Sequence, residues 1–284
     1  MPRETAIPTD PNDLDPRLTS GLQGLLNVQR PVVISYLRNV RRANPDASPA
    51  ELIEILQKRY LTAVTIGGAG TGAIAAVPGI GTVASLGVSA LETAGFLEAS
   101  ALYAQAVTEL HGIRVEDPER ANTLVMTLML GTAGADLVKQ LAGQASGGPG
   151  RSSFWGDLVT ERLPKAVLTQ IKTKIQRTFL KRFLVRRSAG LFGRLVPFGI
   201  GAVIGGTGNH VLAKRVIEAA QDAFGPAPHS FTGELSTITL KPSKEERSAE
   251  KEARQAQKRQ SKQARAELEA AEKDARKRAD ELKG

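Results

Sequence analysis

LTAVTIGGAGTGAIAAVPGIGTVASLGVSAL, residues 61–91, runs for thirty-one residues without a charge. Seven are Gly, seven Ala, six Ser or Thr, one Pro, and ten are bulky aliphatics. An interior Gly costs a water-exposed helix about 1 kcal/mol relative to Ala, so glycine at this density needs a structural reason. Gly68 and Gly72 form G-x-x-x-G, extended by Ala76. That spacing puts small residues on one helical face and lets two backbones approach closely. Pro78-Gly79-Ile80-Gly81 is a turn signal. The stretch therefore predicts a helical hairpin, with one arm at about 61–76 and a second helix at about 82–110. The first arm is about 24 Å long at about 1.5 Å per residue, short of a hydrocarbon core of ~30 Å. Two placements stand open: a close-packed pair in a protein core, and a re-entrant hairpin in a bilayer.

The glycines also invite a phosphate-loop reading, which the spacing excludes. No Lys-Ser or Lys-Thr follows Gly68–Gly72 or Gly79-x-Gly81, and no βαβ pattern with a later acidic residue surrounds them. A second uncharged run, LVPFGIGAVIGGTGNHVLA at 195–213, echoes the first, with Gly201 and Gly205 as another G-x-x-x-G. The two runs are expected to pack together. Asn209 would then sit at a close helix contact and hydrogen-bond across it.

The flanking chain reads as helices punctuated by caps. Pro31–Arg42 carries Val32, Val33, Tyr36, Leu37 and Val40 on one side. Ser48-Pro49-Ala50-Glu51 is a capping box with Pro at N1, opening a helix with Leu52, Ile55, Leu56 and Tyr60 on one face. These two helices resemble a helix-turn-helix, but the second offers no Arg, Asn or Gln array for bases. The helix after the hairpin ends at His111-Gly112, and Glu98 and Glu109 along it read as its solvated side. Asp117-Pro118-Glu119 starts another helix, expected to reach Leu141. Phe224-Gly225-Pro226 ends the last helix of the domain.

Composition bounds the chemistry. The net charge is +9 and the pI near 9.9, which favours a polyanion partner. The chain has no Cys, so disulfides, thiolate metal sites and Cys nucleophiles are excluded. His111, His210 and His229 lie far apart, without a ligand partner at i+3 or i+4. No catalytic residue, metal site or cofactor is expected. The polar, Pro-rich N-terminus lacks an apolar run behind basic residues. The expectation is a cytoplasmic protein, peripheral on the inner membrane face.

From Arg162 to Arg194 there are ten basic residues and no acidic one. Lys165, Lys172, Lys174, Arg177, Lys181, Arg182, Arg186 and Arg187 surround an apolar stripe of Leu163, Val167, Ile171, Ile175, Phe179 and Phe183. Three readings stand for this basic amphipathic helix: contact with an anionic bilayer, contact with phosphate backbones, and a surface helix packed by its stripe. Over 241–284 there are fourteen basic and ten acidic residues, with Leu268 and Leu282 as the only large apolar side chains. No heptad seam is present. The tail reads as a solitary helix steadied by i,i+4 pairs such as Glu250/Arg254, Glu269/Lys273 and Asp274/Arg278, or as disorder.

The fold class is accordingly all-α: a compact multi-helix domain with Gly-rich hairpins. Residues 1–20 read as a disordered lead, 21–226 as the domain, 227–242 as a linker with a short extended piece at Thr237–Leu240, and 243–284 as the charged tail.

Several segments resemble the EcsC family: PDASPAELIEILQKRYLTAV (45–64), AVPGIGTVASL (76–86), HGIRVEDPER (111–120), VPFGIGAVIGGTGN (196–209) and RVIEAAQDAFGP (215–226). The resemblance covers about Pro31–Pro226. It implies an all-α domain associated with bacterial membranes, in a family named from an ABC-transporter locus and without established chemistry. The leading expectation is a non-enzymatic protein bound to an anionic membrane surface, with a membrane protein as a further candidate partner. The alternatives are a helical enzyme using Glu92, Glu98, His111 or Asn209, and a nucleic-acid-binding protein using the basic helix and the tail.

Overall fold

The structure, a computed structural model, describes residues 16–75, 82–138, 165–192, 200–232, 234–237 and 243–281. These form helices α1 (Pro16–Leu26), α2 (Arg30–Ala43), α3 (Pro49–Ala75), α4 (Thr82–Leu110), α5 (Pro118–Leu130), α6 (Lys165–Phe192), α7 (Ile200–Phe224), the single turn α8 (Glu234–Thr237) and α9 (Lys244–Glu281), with no strand among the described residues. The all-α class holds.

The helix at the centre is α4, which touches α1, α2, α3, α5, α7 and α9. Its sequence explains the position. From Ser100 to Leu110 its side chains are mostly small, apolar or hydroxyl-bearing, and all but Leu102 are buried outright; Leu97, Val107 and Leu110 are among the deepest. A helix that is apolar all round belongs inside. Ser100 and Thr108 are buried there because each hydroxyl donates to the carbonyl four residues back, 2.7 Å away in both cases.

The caps fall where the residues predict them. Ser48 and Glu51 bond reciprocally, with Ser48 N donating to Glu51 Oε2 at 2.7 Å and Glu51 N to Ser48 Oγ at 3.3 Å. Those bonds hold the Glu51 carboxyl below its usual range. Asp117 Oδ1 accepts from Glu119 N at 2.7 Å. Gly112 and Gly225 close their helices with φ of 74° and 73°.

Six expectations about the helices and their connections need correction. The first arm of the hairpin is no separate helix: α3 runs unbroken from Pro49 to Ala75. The helix after Asp117 stops at Leu130, because Gly131 turns the chain with φ 63° before a short helical piece at 132–138. Residues 16–20 belong to α1, where Leu18 is buried. The linker is anchored, since Leu235 is buried, Arg41 Nη1 donates to its carbonyl at 2.6 Å, and the Arg41 guanidinium lies 4.1 Å above the Phe231 ring. Thr237, placed in an extended piece, closes the turn α8, while 238–240 lie outside the described residues.

The sixth correction is the largest. The tail forms one helix, α9, and it is not solitary: it lies across α1, α2 and α4. Ala264, Leu268 and Ala271 are buried at i, i+4 and i+7. Glycines opposite them permit the approach. A Cβ on Gly24 would stand 2.8 Å from Ala264 Cβ, and one on Gly21 would stand 2.9 Å from the Ala264 carbonyl oxygen. The polar residues reach across to other helices. Arg38, buried in α2, pairs with Glu250 and, at 3.0 Å, with Glu246. Gln257 joins the end of α1 to the start of α2, donating to the Asn27 carbonyl at 3.1 Å and accepting from Gln29 N at 2.9 Å. Of the expected i,i+4 pairs, Glu269–Lys273 forms at 2.8 Å, whereas Asp274 pairs with Arg17 of α1.

Candidate functional site at the glycine-rich end

Aromatic contacts fix the register of the three helices that carry the glycines. Tyr60 of α3 stacks on Tyr103 of α4, with centroids 4.7 Å apart and planes 6° from parallel. The Ser100 hydroxyl gives its proton to the Phe96 carbonyl, so Tyr60 donates the 2.6 Å bond between Tyr60 and Ser100. Burial pushes both tyrosine hydroxyls far above their usual pKa. These contacts, with Val64 level with Glu92, run α3 antiparallel to α4. At the other extreme His111 stacks on Phe224, centroids 5.2 Å apart, while Asn209 meets Glu92. α7 therefore runs parallel to α4.

Where the three helices meet there is a polar level. Asn209 Nδ2 donates to Glu92 Oε1 at 3.1 Å and to the Val64 carbonyl at 3.4 Å. Beside it, Thr65 Oγ1 and His210 Nδ1 are 3.1 Å apart. The expected cross-helix bond of Asn209 is thus present. Beyond this level α3 continues to Ala75, α4 begins at Thr82 and α7 at Ile200. All three segments point the same way, and none contains a charge. Among the described residues, the large hydrophobic side chains left exposed are Ile66 (66%) and Val211 (44%), each the chain neighbour of a residue in the polar level.

Gly68 and Gly72 lie in α3 beyond the polar level, and Gly201 and Gly205 in α7. Pro78, Gly79, Gly81 and Arg162 lie outside the described residues. The basic residues Lys165, Lys172, Lys174, Arg177, Lys181, Arg182, Arg186 and Arg187 are on α6. Its stripe is occupied: Leu168, Ile171, Ile175, Phe179 and Leu180 are buried, and α6 packs on α5. Lys172 pairs with Glu119 at 2.7 Å, whereas Lys174 and Arg177 are exposed. Between 168 and 180, then, α6 presents cations to its surroundings and its apolar face to α5.

The four polar residues considered for catalysis do not converge. Glu92 and Asn209 meet. Glu98 accepts from Ser261 and, at 2.6 Å, from Arg265 of α9. His111 Nδ1 is 2.9 Å from the Val107 carbonyl, at the far end of α4. The solvated side proposed for Glu98 and Glu109 is also corrected, since Glu109 is buried against Arg30 at 2.6 Å. Both carboxylates face other helices, which bring them arginines from far along the chain. An amide–carboxylate pair and a hydroxyl–imidazole pair tie the three helices together at this level. Among the described residues, no three His, Asp or Glu side chains are grouped to hold a metal ion, and no helix is long and apolar enough to cross a membrane.

Sequence reasoning missed the residues of α9 that bind the body together. One local signal was available: Ser243-x-x-Glu246 is a second capping box, with Ser243 N donating to Glu246 Oε2 at 2.7 Å. No protein-family model matches the chain, and neither a curated protein nor a solved structure is significantly similar to it.

Proposed function

We propose that this is a non-enzymatic, EcsC-like protein that sits on the inner face of a bacterial membrane, seated by its uncharged three-helix end. The observation that carries the reading is the common direction of 65–75, 82–91 and 200–208 beyond one polar level. About ten residues of helix extend some 15 Å at about 1.5 Å per residue. That equals one leaflet, half of a hydrocarbon core of ~30 Å. Helices satisfy their own backbone in such a setting, and the Gly-rich sequence suits close contact there. On the water side of the polar level, exposed Lys58 and Arg59 of α3 and Lys214 and Arg215 of α7 stand where headgroups would lie. Each cation near an anionic surface is worth about 1 kcal/mol. Lys174 and Arg177 of α6 add to the same attraction.

Flotation on vesicles containing phosphatidylglycerol tests the proposal. The wild type is expected to float at physiological salt, the Ile66→Glu/Val211→Glu variant to stay behind, and Lys214→Glu/Arg215→Glu to lose binding in a salt-dependent way. A wild-type protein left at the bottom of the gradient sinks the reading. The competing nucleic-acid reading, through α6 and α9, predicts retention on DNA that falls steeply with salt; vesicle binding without DNA retention removes it.

A further inference from the structure

α9 is buried against the body at both ends of their contact, and between them it is tied only by polar side chains, Arg254 to Ser35, Gln257 to Asn27 and Gln260 to Gly24 among them. Toward its start Ala253 is buried and Arg38 grips Glu246 and Glu250. Toward its end Ala264, Leu268 and Ala271 are buried, and Glu98 holds Ser261 and Arg265. From Arg254 to Gln263, nearly three turns, no residue of α9 is buried. Here an open groove of about 780 Å³ runs beside the helix. Its floor is apolar, made by Val28 between α1 and α2, Val32 of α2 and Leu102 of α4.

The wall of the groove is cationic. Arg254, Lys258 and Lys262 follow one another at i, i+4 and i+8, stacked along one face. Residues 253–266 include five cations and no carboxylate. Lys258 and Lys262 engage no carboxylate among the described residues, and Arg254 is satisfied by the Ser35 hydroxyl at 2.6 Å. The acidic side chain in the groove, Glu98, is already neutralised by Arg265.

We propose that this groove binds an anionic single-chain amphiphile, its alkyl chain on Val28, Val32 and Leu102 and its carboxylate or phosphate head against Arg254, Lys258 and Lys262. The uncompensated cations fix the sign of the ligand's charge, and the apolar floor calls for an alkyl part. The volume lies in the range of single small-molecule sites. A docked peptide helix would want an apolar strip repeated over several turns, whereas the floor is one cluster of three aliphatic side chains. This site is separate from the glycine-rich end and does not depend on membrane seating.

The test uses the full chain in vesicle-free buffer, titrated with dodecanoate and with dodecyl phosphate below micelle formation. Binding is read by calorimetry and by amide hydrogen exchange over 254–263. Saturable binding of at least one of the two is expected, with slower exchange in that segment; which one binds more tightly identifies the head. Dodecanol, acetate and inorganic phosphate are expected to bind at least about tenfold more weakly, since each lacks the head or the chain. Lys258→Gln/Lys262→Gln, at exposed positions with little bearing on folding, should weaken binding about tenfold or more. Leu102→Gln should weaken it through the floor. Ile66→Glu/Val211→Glu should leave it unchanged. The proposal is overturned by no saturable binding of either amphiphile, by dodecanol binding as tightly as dodecanoate, or by affinity that neither the lysine nor the leucine variant reduces.

Discussion

The two ends of α4 close their helix contacts by different means. At the lower end its carboxylates meet arginines from distant parts of the chain, Glu98 with Arg265 and Glu109 with Arg30. There α1 and α9 also come together through Gly21, Gly24 and Ala264, under a lattice of ion pairs and glutamine bonds. At the upper end, beyond Glu92, the three helices carry glycine and alanine but no charge. At the lower end glycines let two backbones approach, whereas a Cβ on Gly67 or Gly208 of the upper end would meet no atom within 4 Å. Only the lower one adds the charged fasteners that suit water. The proposed membrane seating rests on this difference, and it can be attacked from either side.

The largest effect is expected in the charged region. Glu246→Ala/Glu250→Ala strips both carboxylates from Arg38, whose side chain is only 4% exposed. Leaving a buried cation unpaired costs about 3–5 kcal/mol, read as a drop in the denaturant midpoint. Leu268→Ala, at a fully buried position, should cost about 2–5 kcal/mol. Gly24→Val would push α9 off α1, where a Cβ already stands 2.8 Å from Ala264 Cβ, at about 1–3 kcal/mol. If these three leave the unfolding midpoint unchanged, α9 is the detached tail that its composition suggested.

The seam between the two regions offers a pH test. Burial raises the Tyr60 and Tyr103 pKa values in the folded chain. Above about pH 10 the unfolded chain releases these protons while the folded chain keeps them, so the unfolded state binds fewer and stability falls as pH rises. Each tyrosine contributes up to about 1.4 kcal/mol per pH unit there. Tyr60→Phe/Tyr103→Phe should flatten the alkaline limb of the stability curve; an unchanged limb would show that these hydroxyls are not buried. Smallest of all in stability is Ile66→Glu. At an exposed site it should shift unfolding by less than about 0.5 kcal/mol, while abolishing vesicle binding.

Much of the fold was legible from local chemistry. Ser48 with Glu51, Asp117 with Pro118, and the glycines at 112 and 225 set helix ends because a cap is satisfied within four residues of itself. The apolar stripe of α6 was legible for the same reason, through Ile171, Ile175 and Phe179. The docking of α9 was not. Its buried face is three alanines and Leu268 rather than a heptad seam, and alanine reads the same on a solvated helix. Its ionic partners on other helices lie far along the chain, 212 residues away for Arg38 with Glu250 and 167 for Glu98 with Arg265, and charge alone does not choose between a local and a distant partner. Glu98 and Glu109 read as solvated for that reason. At the upper end, Asn209 was legible because a single amide in the uncharged run 195–213 has few places to go.

The absence of cysteine from the chain makes single-cysteine labelling clean. The most direct test places an environment-sensitive fluorophore at Ile66→Cys, at Val211→Cys and, as a control beside the far end of α7, at Gln221→Cys, and adds vesicles containing phosphatidylglycerol and spin-labelled lipid. Membrane seating by the glycine-rich end requires a blue shift and quenching at 66 and 211, with the label at 221 unchanged. A label at 66 that stays in water while the protein is bound, or quenching at 221 in its place, would contradict it.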